Sequence, residues 1–335
     1  MENKYLNKID YLKAISIIMV LFVHSIYYAN IFYGFKSLFS VIVYHLAYYS
    51  SMSFFFVISG YLTHKQDKKT YIKKRVLRLI VPYIFFSLVK LTYSIFINNA
   101  YAHGNTILSQ LYDAFINGGL YWFAYTLFIV NIIGSFIWVD EDNNKLIGDT
   151  KKIKIILIVS ILINILLSLL NINLGTNTYN IPFQLTKVFY YLPFYLIGYL
   201  LKDKDLLSKL TNIKKILIPV SLVIISLLLV FKTMININMN YIYVLCFGLS
   251  VMYLINLIVY KTKGTNKFLL AVGKYSWQIH FLDPFVKILL FMVVGSVGVI
   301  NNGSIILIVL SDVFICVFIS IIVDIIPKGR VLFGL

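Results

Sequence analysis

The chain has 335 residues, 60% of them hydrophobic and only 13% charged, where a soluble domain carries roughly 25% charged residues. That much apolar surface cannot be hidden in a soluble globule, which excludes a soluble enzyme, a disordered chain, a collagen and a coiled coil. The net charge is +17, from 30 Lys plus Arg against 13 Asp plus Glu; the excess falls in short segments between apolar runs, so it reports topology and not a nucleic-acid partner.

In chain order, apolar runs predict about ten helical spans, near 11–30, 38–62, 79–98, 119–139, 153–171, 185–201, 216–233, 241–259, 275–299 and 304–326. A bilayer core of about 30 Å needs roughly 20 such residues per helix. The expected fold is therefore all-α, a polytopic transmembrane helix bundle forming one membrane-embedded domain over residues 1–335 with no appended soluble domain. The first run follows Lys4 and Lys8, as in a signal peptide, but lacks a small-residue cleavage site and reads as a retained helix. With both termini cytoplasmic, 23 Lys and Arg face inward and only Lys36 and Lys232 face outward, as the positive-inside bias requires. Cys246 and Cys316 sit within apolar runs without CxxC spacing, so neither a disulfide framework nor a metal site is indicated.

Ionisable side chains at membrane depth cost on the order of 2.5–3.5 kcal/mol each on insertion scales. The candidates are His24, His45, Lys90, Lys187, His280, Asp283, Lys287, Asp312 and Asp324. Lys13 and His24 are eleven residues apart and share a helix face, roughly 16 Å apart along the axis. His24 is either a buried base or a histidine hydrogen-bonded to a neighbouring helix. The chain has 27 Lys but three Arg, and two of these, Arg75 and Arg78, stand at i and i+3, adjacent on one helix face, just before the third span. Arginine binds phosphate bidentately; the alternative is a topology anchor touching lipid phosphates. Asp283 and Lys287, four apart, are expected to pair, and His280 is placed to present an imidazole near that carboxylate. His45 has tyrosine neighbours to satisfy it, and His64 and His103 lie in or near loops.

Several of these residues fall in a pattern. The segments Lys8-Ile-Asp-Tyr-Leu-Lys13 through His24-Ser25, Phe54-Phe-Phe-Val-Ile-Ser59-Gly60-Tyr61-Leu62, Arg75-Val-Leu-Arg78 with Pro82-Tyr83, Leu120-Tyr-Trp122-Phe123 and Gly273-Lys274-Tyr-Ser276 resemble, in order, the acyltransferase-3 family of integral membrane proteins. The Asp-Tyr-Leu-Lys opening and the run from Trp122 to Phe128 look most like its sugar O-acetylase branch, which includes fucose 4-O-acetylase. The resemblance implies a ten-helix bundle moving an acetyl or other short acyl group from cytoplasmic acyl-CoA to a hydroxyl of a glycan or glycolipid. It makes His24 the catalytic residue and Arg75 and Arg78 the donor site. Acetyl-CoA is then a substrate, and no permanently bound cofactor is expected. Three positions, in two segments, depart from the pattern. Lys13 stands where the family more often has Arg, and in Ile279-His280-Phe-Leu-Asp283-Pro284 His280 replaces an aromatic and Asp283 a histidine.

Spacing and resemblance join in one expectation. Arg75 and Arg78, with Lys13, Lys73 and Lys74, hold the nucleotide head, and the pantetheine arm brings the thioester to His24. His24 acts as general base or as transient acyl carrier. Ser59 and Gly60 are expected to break the second span and line the donor tunnel. Tyr121 and Trp122, at the outer end of the fourth span, stack on a sugar or anchor in the aromatic belt. His280 and Asp283 are supporting residues. The expected partners are acyl-CoA, a glycan or lipid-linked sugar and membrane lipid, in a bacterial cell membrane. The rival readings are a glycan or lipid exporter without chemistry and a scaffold subunit of an envelope-synthesis complex.

Overall fold

A computed structural model describes residues 2–63, 67–96, 107–137, 150–170, 172, 182–203, 217, 220–221, 224–225, 241–261, 266–298 and 300–334. The described residues form helices and connecting turns, with no strand among them. In order they are α1 (Glu2–Tyr33), α2 (Leu38–Tyr61), α3 (Lys68–Arg75), a π turn (Val76–Ile80), α4 (Val81–Phe96), α5 (Ile107–Phe115), a 3-10 turn (Gly119–Tyr121), α6 (Trp122–Ile137), α7 (Thr150–Leu169), α8 (Leu185–Asp203), α9 (Tyr241–Lys261), α10 (Lys267–Lys274), α11 (Ser276–Val297), α12 (Asn302–Ile325) and α13 (Pro327–Leu332).

Among the described residues, eight helical stretches are long and apolar enough to cross a membrane: Asn7–Tyr33, Leu38–Tyr61, Lys68–Tyr93, Leu108–Ile137, Lys151–Leu169, Tyr241–Val259, Ser276–Ser296 and Asn302–Ile325. They coincide with eight of the ten expected runs. The run at 185–201 lies on α8, outside these eight, and that at 216–233 lies largely outside the described residues, as do His64 and His103. The third stretch starts at Lys68, not near 79, because α3, the π turn and α4 follow without interruption; the fourth starts at Leu108 because α5 and the 3-10 turn precede α6.

The chain divides into two compact units, residues 1–58 with 204–322 and residues 59–203 with 323–335. In the first, α10 lies along the start of α1. A Cβ at Gly273 would meet the Asp10 backbone, so only glycine allows this approach. Asn266 caps α10 by accepting from the Leu269 N–H at 3.1 Å and donates its own N–H to the Tyr11 hydroxyl at 2.6 Å. At the other end of α1, Ile26 and Ala29 pack with Phe291, Ile300, Ile305 and Ile308.

In the second unit, α8 packs against α6 and α7. Pro193 sits inside α8 and removes the N–H that would bond the Phe189 carbonyl. The buried Asn164 on α7 replaces it, donating to that carbonyl at 3.1 Å. The ring of Tyr195 occupies the space left by Gly134 of α6.

Gly273→Ala is expected to lower stability by about 1–3 kcal/mol, because the added methyl overlaps backbone rather than a movable side chain. Thermal unfolding of the detergent-solubilised protein measures this, with Gly303→Ala, near which only the Asn301 side chain comes within 4 Å, as the control.

Candidate active site

His24 lies on α1 and Asp283 on α11, 259 positions apart in the chain. The Nδ1–H of His24 donates to Asp283 Oδ2 at 2.5 Å. Asp283 Oδ1 meets the Lys287 ammonium at 2.7 Å. The carboxylate is therefore held from both sides, and it is 1% exposed while the imidazole is 30% exposed. With Nδ1 committed to Asp283, the lone pair of His24 resides on Nε2. Such a ring can take a proton there without turning or changing tautomer.

The carboxylate at 283 thus orients the imidazole of α1, where the sequence placed His280 beside it. His280 lies on α11 itself, buried, its ring 6.0 Å from that of Trp277. Asp283 and Lys287 pair as their spacing requires, and Lys287 also reaches Asp312 Oδ2 at 3.1 Å. Lys13 pairs with Asp10 at 2.9 Å, one turn earlier on α1. His45 is satisfied by a backbone group, donating Nδ1–H to the Val41 carbonyl at 2.6 Å, with the Tyr44 and Tyr49 rings nearby.

The other unit holds the remaining candidates. Asp67 caps α3 by accepting from the Thr70 N–H at 2.9 Å, a bond that lowers the carboxyl's pKa. Arg75 lies over the ring of the buried Tyr71, 4.8 Å from its centroid, and is half-buried; Arg78 is exposed, as are Lys73 and Lys74. The spacing of the arginines does not put them on one α-helical face. Pro82 lacks the N–H for the Arg78 carbonyl and its ring would crowd that group, and the helix widens into the π turn, closed by the Val81 N–H to the Val76 carbonyl. Arg75 therefore ends the α segment and Arg78 lies within the wider turn. Gly334, at φ +69°, packs against the Arg78 carbonyl and the Pro82 ring, a support the sequence does not signal.

Ser59 and Gly60 do not break α2, which continues through both to Tyr61. At Gly60 the α8 backbone at Tyr195 comes so close that a Cβ would meet its carbonyl, so the missing Cβ serves packing. Ser59 donates to Asn131 Oδ1 at 3.4 Å, and the same oxygen accepts from the Tyr71 hydroxyl at 2.7 Å. Asn131 had no sequence signal beyond being an amide in an apolar run. Tyr121 is buried at 1% exposure, so its ring is not offered to a sugar. Trp122 stacks on Tyr191 at 5.8 Å and lies beneath the Lys187 ammonium at 4.0 Å. Lys187 is buried in this contact, Lys90 is exposed, and Asp324 pairs with Arg330 at 3.1 Å.

A histidine oriented by a buried carboxylate, with its second nitrogen available, suits proton handling by an enzyme embedded in a multi-pass helical bundle. Residues 6–324 match the acyltransferase-3 family, whose model is described as an acyltransferase domain. The match covers nearly the whole chain, and the protein belongs to this family of membrane acyltransferases. Neither a curated protein nor a solved structure matches it.

Asn131→Leu is expected to cost about 1–3 kcal/mol, since it removes the buried amide that accepts from the Tyr71 hydroxyl and donates to the Leu127 carbonyl. A thermal-unfolding comparison with Tyr71→Phe, which removes the hydroxyl itself and should cost less, checks the assignment.

Proposed function

We propose that the protein is an O-acetyltransferase of the sugar O-acetylase branch, resembling fucose 4-O-acetylase. It moves an acetyl group from cytoplasmic acetyl-CoA to a hydroxyl of a surface glycan, capsule or exopolysaccharide, or of a glycolipid precursor. The observation that carries this reading is the 2.5 Å bond from His24 Nδ1–H to Asp283, which leaves Nε2 as the nitrogen that can act as base, on a side chain that is 30% exposed. In the reaction His24 Nε2 takes the proton of the acceptor hydroxyl as its oxygen attacks the thioester carbonyl. The carbon–sulfur bond breaks, and the proton passes from His24 to the departing thiolate of CoA. A neutral imidazole starts and ends the cycle.

Arg75 and Arg78 hold the anionic nucleotide of the donor, Arg75 with its plane set by Tyr71. The exposed Lys73 and Lys74 add positive charge to the same segment. The proposed topology has ten spans and both termini in the cytoplasm of a bacterial cell, with the protein in its plasma membrane. It is supported by the 23-to-2 distribution of basic residues and puts Arg75 and Arg78 on the cytoplasmic side, where acetyl-CoA is made.

His24→Ala is expected to lower glycan acetylation by about 10²–10⁴-fold, the usual contribution of a positioned general base, without loss of folded protein. Mass spectrometry of the host's surface glycan and assay of the purified protein with acetyl-CoA measure it; unchanged acetylation by a well-expressed variant overturns the reading. Replacing Arg75 and Arg78 together by Lys should raise KM for acetyl-CoA about tenfold or more while leaving membrane insertion intact, because the charge remains and the bidentate fork is lost. An unchanged KM returns both to the role of topology anchors.

A further inference from the structure

Four acceptors surround the Lys287 ammonium: Asp283 Oδ1 at 2.7 Å, the Leu21 carbonyl at 2.8 Å, Ser25 Oγ at 3.0 Å and Asp312 Oδ2 at 3.1 Å. The side chains of Lys287 and Asp312 are both 0% exposed. An ammonium has three N–H groups, so every one is engaged and none remains to serve the reaction. Two of the acceptors lie on α1 on either side of His24, three residues before it and one after. A third is the carboxylate that His24 itself binds. One buried amine therefore fixes both the helix that carries the imidazole and the carboxylate that orients it.

The charges give this arrangement a second consequence. A buried carboxylate 2.5 Å from an imidazole, with no other counter-ion, favours the imidazolium. An imidazolium has no lone pair on Nε2 and cannot act as a base. We infer that Lys287 is a positioning residue for His24: it offsets the charge of Asp283 at the oxygen opposite the imidazole and fixes that carboxylate and α1 on either side of His24 in one register, and Asp312 anchors the ammonium from α12. This rests on the base role proposed for His24.

The other groups near His24 do not take over this function. On α11 these are His280 and Asp283. Of the remaining helices packed on α1, α10 carries Lys267 and Lys274, and α9 carries tyrosines, Cys246 and, at its end, Lys261. Neither supplies a carboxylate. Along α1 itself, Tyr27 and Tyr28 follow within about one turn, and Asp10 and Lys13 pair with each other three turns before. On α12, Cys316 donates to Asp312 Oδ1 at 3.2 Å.

The test is the full-length double variant Lys287→Met with Asp312→Asn. It should fold, because an imidazolium at His24 replaces the ammonium as the counter-ion of Asp283. Two curves are measured against pH: the rate with acetyl-CoA, and the extent of His24 modification by diethyl pyrocarbonate, read on the His24 peptide by mass spectrometry. Both curves should move to higher pH by about one unit or more, the scale of a neighbouring charge. The rate at pH 7 should fall about tenfold and recover above pH 8, with KM for acetyl-CoA unchanged. Curves that coincide with those of the unaltered protein, or a rate lost equally at every pH, overturn the inference. The modification curve needs no activity, so its movement supports the Lys287 assignment even where His24→Ala shows His24 dispensable for transfer. If the methionine variant expresses poorly, Lys287→Gln with Asp312→Asn is read in the same way.

Discussion

An ammonium enclosed by helices has to be satisfied where it stands, because neither water nor lipid headgroups can reach it. Lys287 meets that requirement with acceptors from α1, its own α11 and α12. The solution is directional: a hydrogen-bonded ion pair in a dry interior loses several kcal/mol when one partner is removed, far more than an exposed pair. The rotation of α1 about its axis is therefore tied to the position of a single nitrogen atom. The apolar cluster of Ile26, Ala29, Phe291 and Ile305 fills space beyond it. Apolar packing alone tolerates rotation and repacking, and the ion cluster supplies the restraint that such packing lacks.

The other unit obtains its precision from interruptions in helical regularity. Pro193 frees a carbonyl that Asn164 then binds, which ties α7 to α8 at one level. Pro82 forces the π turn that carries Arg78. At the first proline a side chain takes over the freed carbonyl, and at the second the backbone ladder itself shifts register, through the Val81 N–H to Val76 carbonyl bond. Gly60 and Gly134 make the converse contribution, letting Tyr195 approach α2 by its backbone and α6 by its ring. The residues of the Ser59-Gly60 and Arg75–Arg78 segments are thus explained by packing as well as by any ligand they hold.

What could be read from the chain followed from periodicity and cost. Apolar runs located the long helices because each needs a similar length to cross a bilayer. The expense of burying charge singled out His24, Asp283, Lys287 and Asp312 before any fold was known. Four-residue spacing joined Asp283 to Lys287. The pairing of His24 with Asp283 was not legible, since no local rule links residues 259 apart. The charge inventory did contain a hint, in that Asp283, Lys287 and Asp312 do not balance among themselves and so call for a fourth polar group. Ser59, Gly60 and Tyr121 were misread for a different reason. A small residue near a helix end looks like a break, and an aromatic at a span end looks like a ligand platform, until the neighbouring helix is seen to occupy the space.

The same charge reasoning bears on Asp283, which stands where the family resemblance leads to an expectation of histidine. A histidine at that position introduces no fixed anion, and two imidazoles can share one proton without a counter-ion. Aspartate introduces a permanent charge beside the base, and with it the risk that His24 is held in its inactive, protonated form. A lysine one helical turn away is the nearest position from which the same carboxylate can be neutralised while its other oxygen still faces α1. A lysine so placed needs further acceptors for its remaining protons, and α1 and α12 provide them. Asp283, Lys287 and Asp312 are thus physically interdependent: one ammonium serves both carboxylates, so losing Lys287 alone leaves two uncompensated charges inside the bundle, whereas losing Asp283 leaves Lys287 paired with Asp312 and takes the acceptor from His24.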